Sequence, residues 1–158
     1  MTSTPRLHTT TDPITPAPGK VPTRRFGAIT GPECVELLES HSIGRVAWHA
    51  ADGPQILPVT YLYQSDRLYF RTSPHGILSE LLRPTDVALE VDDLNHDTRT
   101  GWSVVVYGRA EAVAAPAEVV MLCTPDLAPW APDIRNLFIQ ITPHRITGRR
   151  LTRDPEDY

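Results

Sequence analysis

No apolar run in this chain approaches the length of a membrane-crossing helix, and the N-terminal stretch lacks the apolar core that a secretory leader needs. Glycine-rich phosphate loops are missing as well. Neither GxGxxG nor a P-loop occurs, which excludes a Rossmann dinucleotide site as far as sequence can exclude it. There is no GxSxG elbow and no Cys/His pairing of a recognised nucleophile type. The two cysteines, Cys34 and Cys123, stand far apart without CxxC or metal-ligand spacing, so both are expected to be reduced thiols. Six histidines, at positions 8, 41, 49, 75, 96 and 144, show neither HxH nor HxxxH, and no structural metal is expected. Basic excess is also lacking: 15 Lys and Arg stand against 19 Asp and Glu, for a formal charge of −4. The only adjacent arginine pairs are Arg24-Arg25 and Arg149-Arg150, so neither nucleic acid nor membrane is an expected partner and the expected location is the cytoplasm.

What remains is an ordinary globular composition, 41% hydrophobic and 22% charged, in a chain of 158 residues that suits one domain. Residues 1–25 are rich in Thr and Pro and have few large apolar side chains. They cannot offset their ordering entropy by burial, and are expected to form a disordered tail or to lie across a partner subunit. The folded domain is expected over 26–151, with a polar tail at 152–158. Thr30-Gly31-Pro32-Glu33 has capping-box spacing for a short helix that puts Cys34, Leu37 and Leu38 on one face and stops near Ser40 to Ser42. A first strand follows from Gly44 to Ala50, and Asp52-Gly53 turns the chain into the second. Later strands are read at Asp86 to Asp93, Gly101 to Val113, Asn136 to Thr142 and Arg145 to Leu151, with a short helix near Ala117 to Cys123. Asp93-Leu94-Asn95-His96-Asp97 has the opening of a calcium loop. It fails, because Thr98 stands where glycine is needed and Val104 where a glutamate is needed, and it reads as a solvated turn.

The stretch from Gln55 to Leu82 organises the rest. Two β-type runs, Gln55 to Tyr63 and Arg67 to Arg71, flank the polar break Gln64-Ser65-Asp66, the pattern of a hairpin. The second run ends in Arg71-Thr72-Ser73, after which Pro74, His75 and Gly76 break the extended pattern. Ile77 to Leu82 then takes up apolar positions at helical spacing. A guanidinium and two hydroxyls ahead of a helix start suit an anion, above all a phosphate. Ser73-Pro74 equally reads as a plain N-cap with proline in the first helical turn. Pro58 cannot donate to a ladder and so belongs at an edge, at a bulge, or where something other than a strand approaches the backbone. In Gly101 to Val113, Trp102, Val104 and Val106 fall on one face and Ser103, Val105 and Tyr107 on the other. Both faces are apolar enough to imply a barrel interior on one side and a second buried surface on the other.

The ordered series IGRVAW (43–48), LPVTY (57–61), LYFRTSPHG (68–76), VALEVDD (87–93), RTGWSVVVYGRAE (99–111), APWAP (128–132) and ITGRR (146–150) resembles the pyridoxamine-phosphate-oxidase-like family of flavin-binding split-barrel proteins, over about residues 30–151. The resemblance implies a mainly β fold with short helices, a six-stranded antiparallel split β-barrel that is homodimeric and holds FMN between subunits. It further implies Arg71, Thr72 and Ser73, helped by Ser103, on the phosphate, and Leu57, Pro58, Val59, Thr60, Trp102 and Trp130 along the ring. Family members often have asparagine at the position of Thr60, and commonly a lysine where this chain has Ile77. One charge-assisted contact fewer costs roughly 1.5–3 kcal/mol. True pyridoxamine-phosphate oxidases use a late Arg/His pair that Gly148-Arg149-Arg150 does not supply, so pyridoxine metabolism is not expected. The implied activity is hydride or electron transfer to a small acceptor. The alternatives are a reductase using the deazaflavin F420, against which the scarcity of lysine argues, and a non-catalytic flavin-binding, sensing or cofactor-free dimer.

Overall fold

The computed structural model describes residues 24–128 and 135–153. In chain order these form β1 (Arg24–Ile29), α1 (Gly31–Ser40), β2 (Ile43–Ala50), β3 (Gly53–Gln64), β4 (Arg67–Thr72), a 3₁₀ turn (Ile77–Leu82), β5 (Thr85–Asn95), β6 (Thr100–Ala112), α2 (Pro116–Leu122), a second 3₁₀ turn (Pro125–Leu127) and β7 (Leu137–Arg153). All strand pairs are antiparallel. The order is β1-β7-β4-β3-β2-β5-β6, and β6 also pairs with β7, so β2 to β7 close into a ring of six strands. The expected six-stranded barrel is therefore present, but the described sheet has seven strands because β1 adds to β7.

Three boundaries differ from the sequence reading. Arg24 and Arg25, assigned to the tail on composition, begin β1 and pair with Arg153 and Thr152, which themselves extend β7 into the expected polar tail. The rest of the expected tail, residues 1–23, lies outside the described residues. Asn136 to Thr142 and Arg145 to Leu151 are one strand rather than two. Tyr107 pairs with Arg145 and Gly108 with Pro143, which leaves His144 as the extra residue of a β-bulge. Glycine is needed at that crossing, because a Cβ on Gly108 would sit 2.5 Å from the Thr142 carbonyl oxygen. Pro143, which cannot donate, sits at the bulge where a ladder bond is least missed.

The capping signal of α1 is realised: the Thr30 hydroxyl accepts from the Glu33 N–H at 3.4 Å, and Cys34 and Leu38 are buried. Leu38 packs into the barrel core, and its carbonyl accepts from the Tyr61 hydroxyl at 2.9 Å. The interior is filled by alternate residues of each strand, among them Val46, Tyr61, Phe70, Leu89, Val104 and Ile139. A second, smaller cluster of Tyr69, Leu122, Leu127 and Phe138 lies on the other face of β4 and β7, under α2. On β6 the inward Val104 and Val106 are fully buried, while outward Ser103, Val105 and Tyr107 are only half-buried, Tyr107 lying under the Arg145 guanidinium at 3.8 Å.

Candidate functional site

The barrel has a seam, and strand lengths explain it. β3 has 12 residues and β4 only 6, so β4 covers β3 from Tyr61 to Gln64 and leaves Gly53–Thr60 paired, among the described residues, with β2 alone. The Tyr61 N–H bonds the Ser42 carbonyl at 2.8 Å. Strand alternation then turns Val59 and Leu57 toward β2 in the ladder, and turns the main-chain groups of Ile56, Pro58 and Thr60 to the open side. Pro58 and Pro54 both fall on the side where no ladder N–H is required, which is why β3 tolerates them. Of the four β3 residues that the resemblance implies along the ring, Val59 has its side chain in the core, Leu57 packs against that core, and Pro58 and Thr60 face outward.

Where β4 stops, the chain turns across the end of this open edge. Thr72 is 2% exposed, and its hydroxyl donates to the Ser73 carbonyl at 3.3 Å; the Gly76 N–H bonds the same carbonyl at 3.3 Å. A Cβ on Gly76 would lie 3.0 Å from the Ser73 hydroxyl, so a side chain there would crowd the turn. The expected helix does not begin at Pro74. A 3₁₀ turn begins at Ile77, with Gly76 at its cap and no side chain capping it. Its eclipsed i, i+3 positions put Leu78 and Leu81 together in the core. The Glu80 carboxylate accepts from the Trp48 indole at 3.0 Å, which ties the turn to β2. The anion-binding geometry of a longer α-helix N-terminus is therefore not what this turn offers; its polar groups are hydroxyls and loop N–H groups.

A cleft of about 270 Å³ opens here, lined by Leu57, Pro58, Thr72, Ser73, Gly76, Ile77, Leu78 and Arg135. Four of the sequence-predicted residues are thus brought together, with Ile77 as the apolar wall. Arg71 lies beside the cleft and is not among its lining residues. It belongs to the opposite face of β4, where its Nε donates to the Arg135 carbonyl at 2.7 Å and its guanidinium lies 5.1 Å from the centre of the Phe138 ring. The cleft's one charged lining residue is Arg135, which sequence reasoning passed over. Its Nε is buried with no hydrogen-bond partner among the described residues. The β4–β7 register, Thr72 opposite Leu137, is the signal that could have found it, because it carries Arg135 back beside the Thr72–Gly76 turn.

Trp102 and Ser103 are not in this cleft. Trp102 pairs with Asp93 and Arg150, stacks edge-on with His41 at 4.8 Å, and borders a separate open cavity of about 480 Å³ with Gly101, Arg150 and Leu151. Ser103 pairs with Asp92 and Arg149 on the outer face of the same strand. Trp130 lies outside the described residues.

The family model for pyridoxamine 5'-phosphate oxidase matches residues 31–150. Among curated proteins, the uncharacterized Mycobacterium tuberculosis protein Rv0080 is 36% identical over 127 residues, covering 77% of this chain and 83% of its own length. Among solved structures, a Corynebacterium glutamicum protein provisionally named a pyridoxamine 5'-phosphate oxidase superposes with a TM-score of 0.68 at 32% identity, covering 80% of this chain and 98% of that one. The FAD-binding protein of Mycobacterium smegmatis gives 0.65 at 28% identity, covering 78% and 95%. No helix among the described residues is long and apolar enough to cross a membrane.

Proposed function

The chain belongs to the pyridoxamine 5'-phosphate oxidase family of split barrels, and from that premise we propose that it binds a flavin mononucleotide along the open edge of β3 and uses it to pass hydride or electrons to a small acceptor. The observation that carries this reading is the cleft itself. An open strand edge runs into a turn whose Thr72 and Ser73 line one space together with Arg135, whose Nε is buried without a partner among the described residues. A phosphate monoester fits that donor set, since each of its oxygens accepts from N–H or O–H. The residues present therefore suit the group.

In this reading Thr72, Ser73 and an arginine beside them hold the phosphate, and the outward main-chain groups of Ile56, Pro58 and Thr60 border the ring. Once bound, the isoalloxazine supplies the redox chemistry, while the protein supplies orientation and exclusion of water. Sites that enclose a small ligand run to about 300–1,000 Å³. A cleft of about 270 Å³ takes only one end of a mononucleotide. The remainder lies over the seam, where a second copy completes the enclosure. Two features support this dimer: Ile56 and Ile43, 61% and 47% exposed, flank Pro58 and Thr60 on the outer face. Trp102 and Ser103, which lie outside the cleft, would then reach the cofactor from the partner's side.

FAD is the second reading, because the M. smegmatis structural relative is named an FAD-binding protein. Titrating the purified protein with FMN, FAD and F420, and following flavin fluorescence, separates these. Saturable quenching by FMN below about 10 µM, with FAD weaker, is expected, and NADPH oxidation with an artificial acceptor then distinguishes an enzyme from a binding module. No saturable signal with any of the three would refute the flavin reading.

A further inference from the structure

We propose that Arg135, rather than Arg71, is the cation that grips the phosphate end of the cofactor, and that Arg71 is a positioning residue acting through it; this rests on the flavin reading of the cleft. Arg71 stands in the strand that leads to the turn, but its Nε is committed to the Arg135 carbonyl at 2.7 Å and its planar group packs beside the Phe138 ring. Both contacts hold it on the α2 side of β4, away from the cleft lining. Arg135 has the opposite character. It lines the cleft with Thr72 and Ser73, and its Nε is buried without an acceptor among the described residues. An anion in the cleft meets the full positive charge of Arg135, and a small shift of that side chain toward it would also satisfy the buried Nε, a donor that is costly to leave unmade. Ile77 offers no charge on the facing wall.

The bond from Arg71 fixes the main chain of Arg135 immediately before β7 begins, and so sets where the Arg135 side chain emerges. The pair works as a support and a hand. The specificity that follows is for a phosphate monoester over the same ring system without it.

The test compares dissociation constants for FMN and riboflavin, which differ by the phosphate alone, by fluorescence quenching in the full-length protein. Wild type should prefer FMN at least tenfold. Arg135→Ala should abolish that preference while leaving riboflavin affinity within twofold of wild type. Arg71→Ala should lose part of the preference, and the double variant should be no worse than Arg135→Ala, as expected when one residue acts through the other. Melting curves identify any variant that has simply unfolded, and Arg135→Gln serves in place of an alanine variant that has. If Arg135→Ala keeps the FMN preference, or Arg71→Ala alone erases it, the assignment is overturned while the flavin reading stands. If wild type binds neither flavin, thermal shift with inorganic phosphate decides: stabilisation lost in Arg135→Ala keeps the anion site and removes the flavin reading, and no stabilisation overturns both.

Discussion

An Ile77→Lys variant should bind FMN about tenfold more tightly than the wild type. Ile77 lines the cleft yet is 49% exposed, at the first position of the 3₁₀ turn whose core contacts come from Leu78 and Leu81. Full burial of an isoleucine side chain is worth about 1.5–3 kcal/mol, so half-burial is worth about 1 kcal/mol, and the aliphatic stem of lysine keeps much of that. The fold should therefore tolerate the change. The gain is one charge-assisted hydrogen bond to phosphate, roughly 1.5–3 kcal/mol, and the openness of the cleft to water argues for the lower end. About 1.4 kcal/mol is tenfold in affinity. The assay is quenching of flavin fluorescence at low ionic strength, repeated at 0.5 M salt, where screening over a few ångströms should shrink the gain. Riboflavin serves as the control and should be unaffected. An equal gain for riboflavin, or none for FMN at low salt, would mean that the phosphate does not lie against this wall.

Three other outcomes are expected. FMN affinity should fall as pH drops through about 6, where a phosphate monoester loses its second charge while arginine keeps its own, and riboflavin affinity should stay flat over the same range. Burial holds the Tyr61 phenol well above its ordinary range, so the folded state retains a proton that the unfolded chain releases above about pH 10. Stability should thus decline as pH rises past that point; Tyr61→Phe should weaken the decline in urea titrations while costing about 1 kcal/mol at neutral pH through the lost bond to Leu38. Gly148→Ala should destabilise by about 1–3 kcal/mol, because the new Cβ would stand 2.5 Å from the Cys34 sulfur and 2.8 Å from Ile29 Cβ. Cys34→Ala in the same chain should recover part of the loss, and an unchanged denaturation midpoint in the single variant would contradict this packing.

Local chemistry was legible in the sequence wherever it decides structure locally. Ser65 and Asp66 take positive φ of 51° and 58° in a two-residue hairpin loop between paired Gln64 and Arg67, as their polar break suggested. Thr30 caps α1 for the same reason. Illegible were features fixed by distant partners. Arg24-Arg25-Phe26 has no strand pattern of its own, with Phe26 80% exposed, and becomes a strand because the end of β7 offers a free edge. Pro143-His144 looks like a break, and becomes a bulge because β6 runs continuously beside it. Arg135 follows a proline-punctuated stretch and carries no motif; only the register of β4 on β7 brings it to the cleft.

That contrast bears on how such a site arises. A proline within a strand signals an unpaired edge, yet β3 sits inside the barrel, with β2 on one side and β4 on the other. The contradiction resolves in the unequal lengths of the hairpin arms: β4 ends at Thr72, and from Thr60 back to Gly53 the strand has no partner on that side among the described residues. The same termination makes the Thr72–Gly76 turn, because the chain must leave the sheet somewhere and does so through two hydroxyl residues, a proline, a histidine and a glycine. The open backbone and the polar turn are thus two results of one event, and they lie side by side because β3 and β4 are hairpin partners. A longer β4 would seal the edge and carry the turn away together. The seam and the polar pocket at its end therefore stand or fall as a unit, whatever single side chain within them carries the charge.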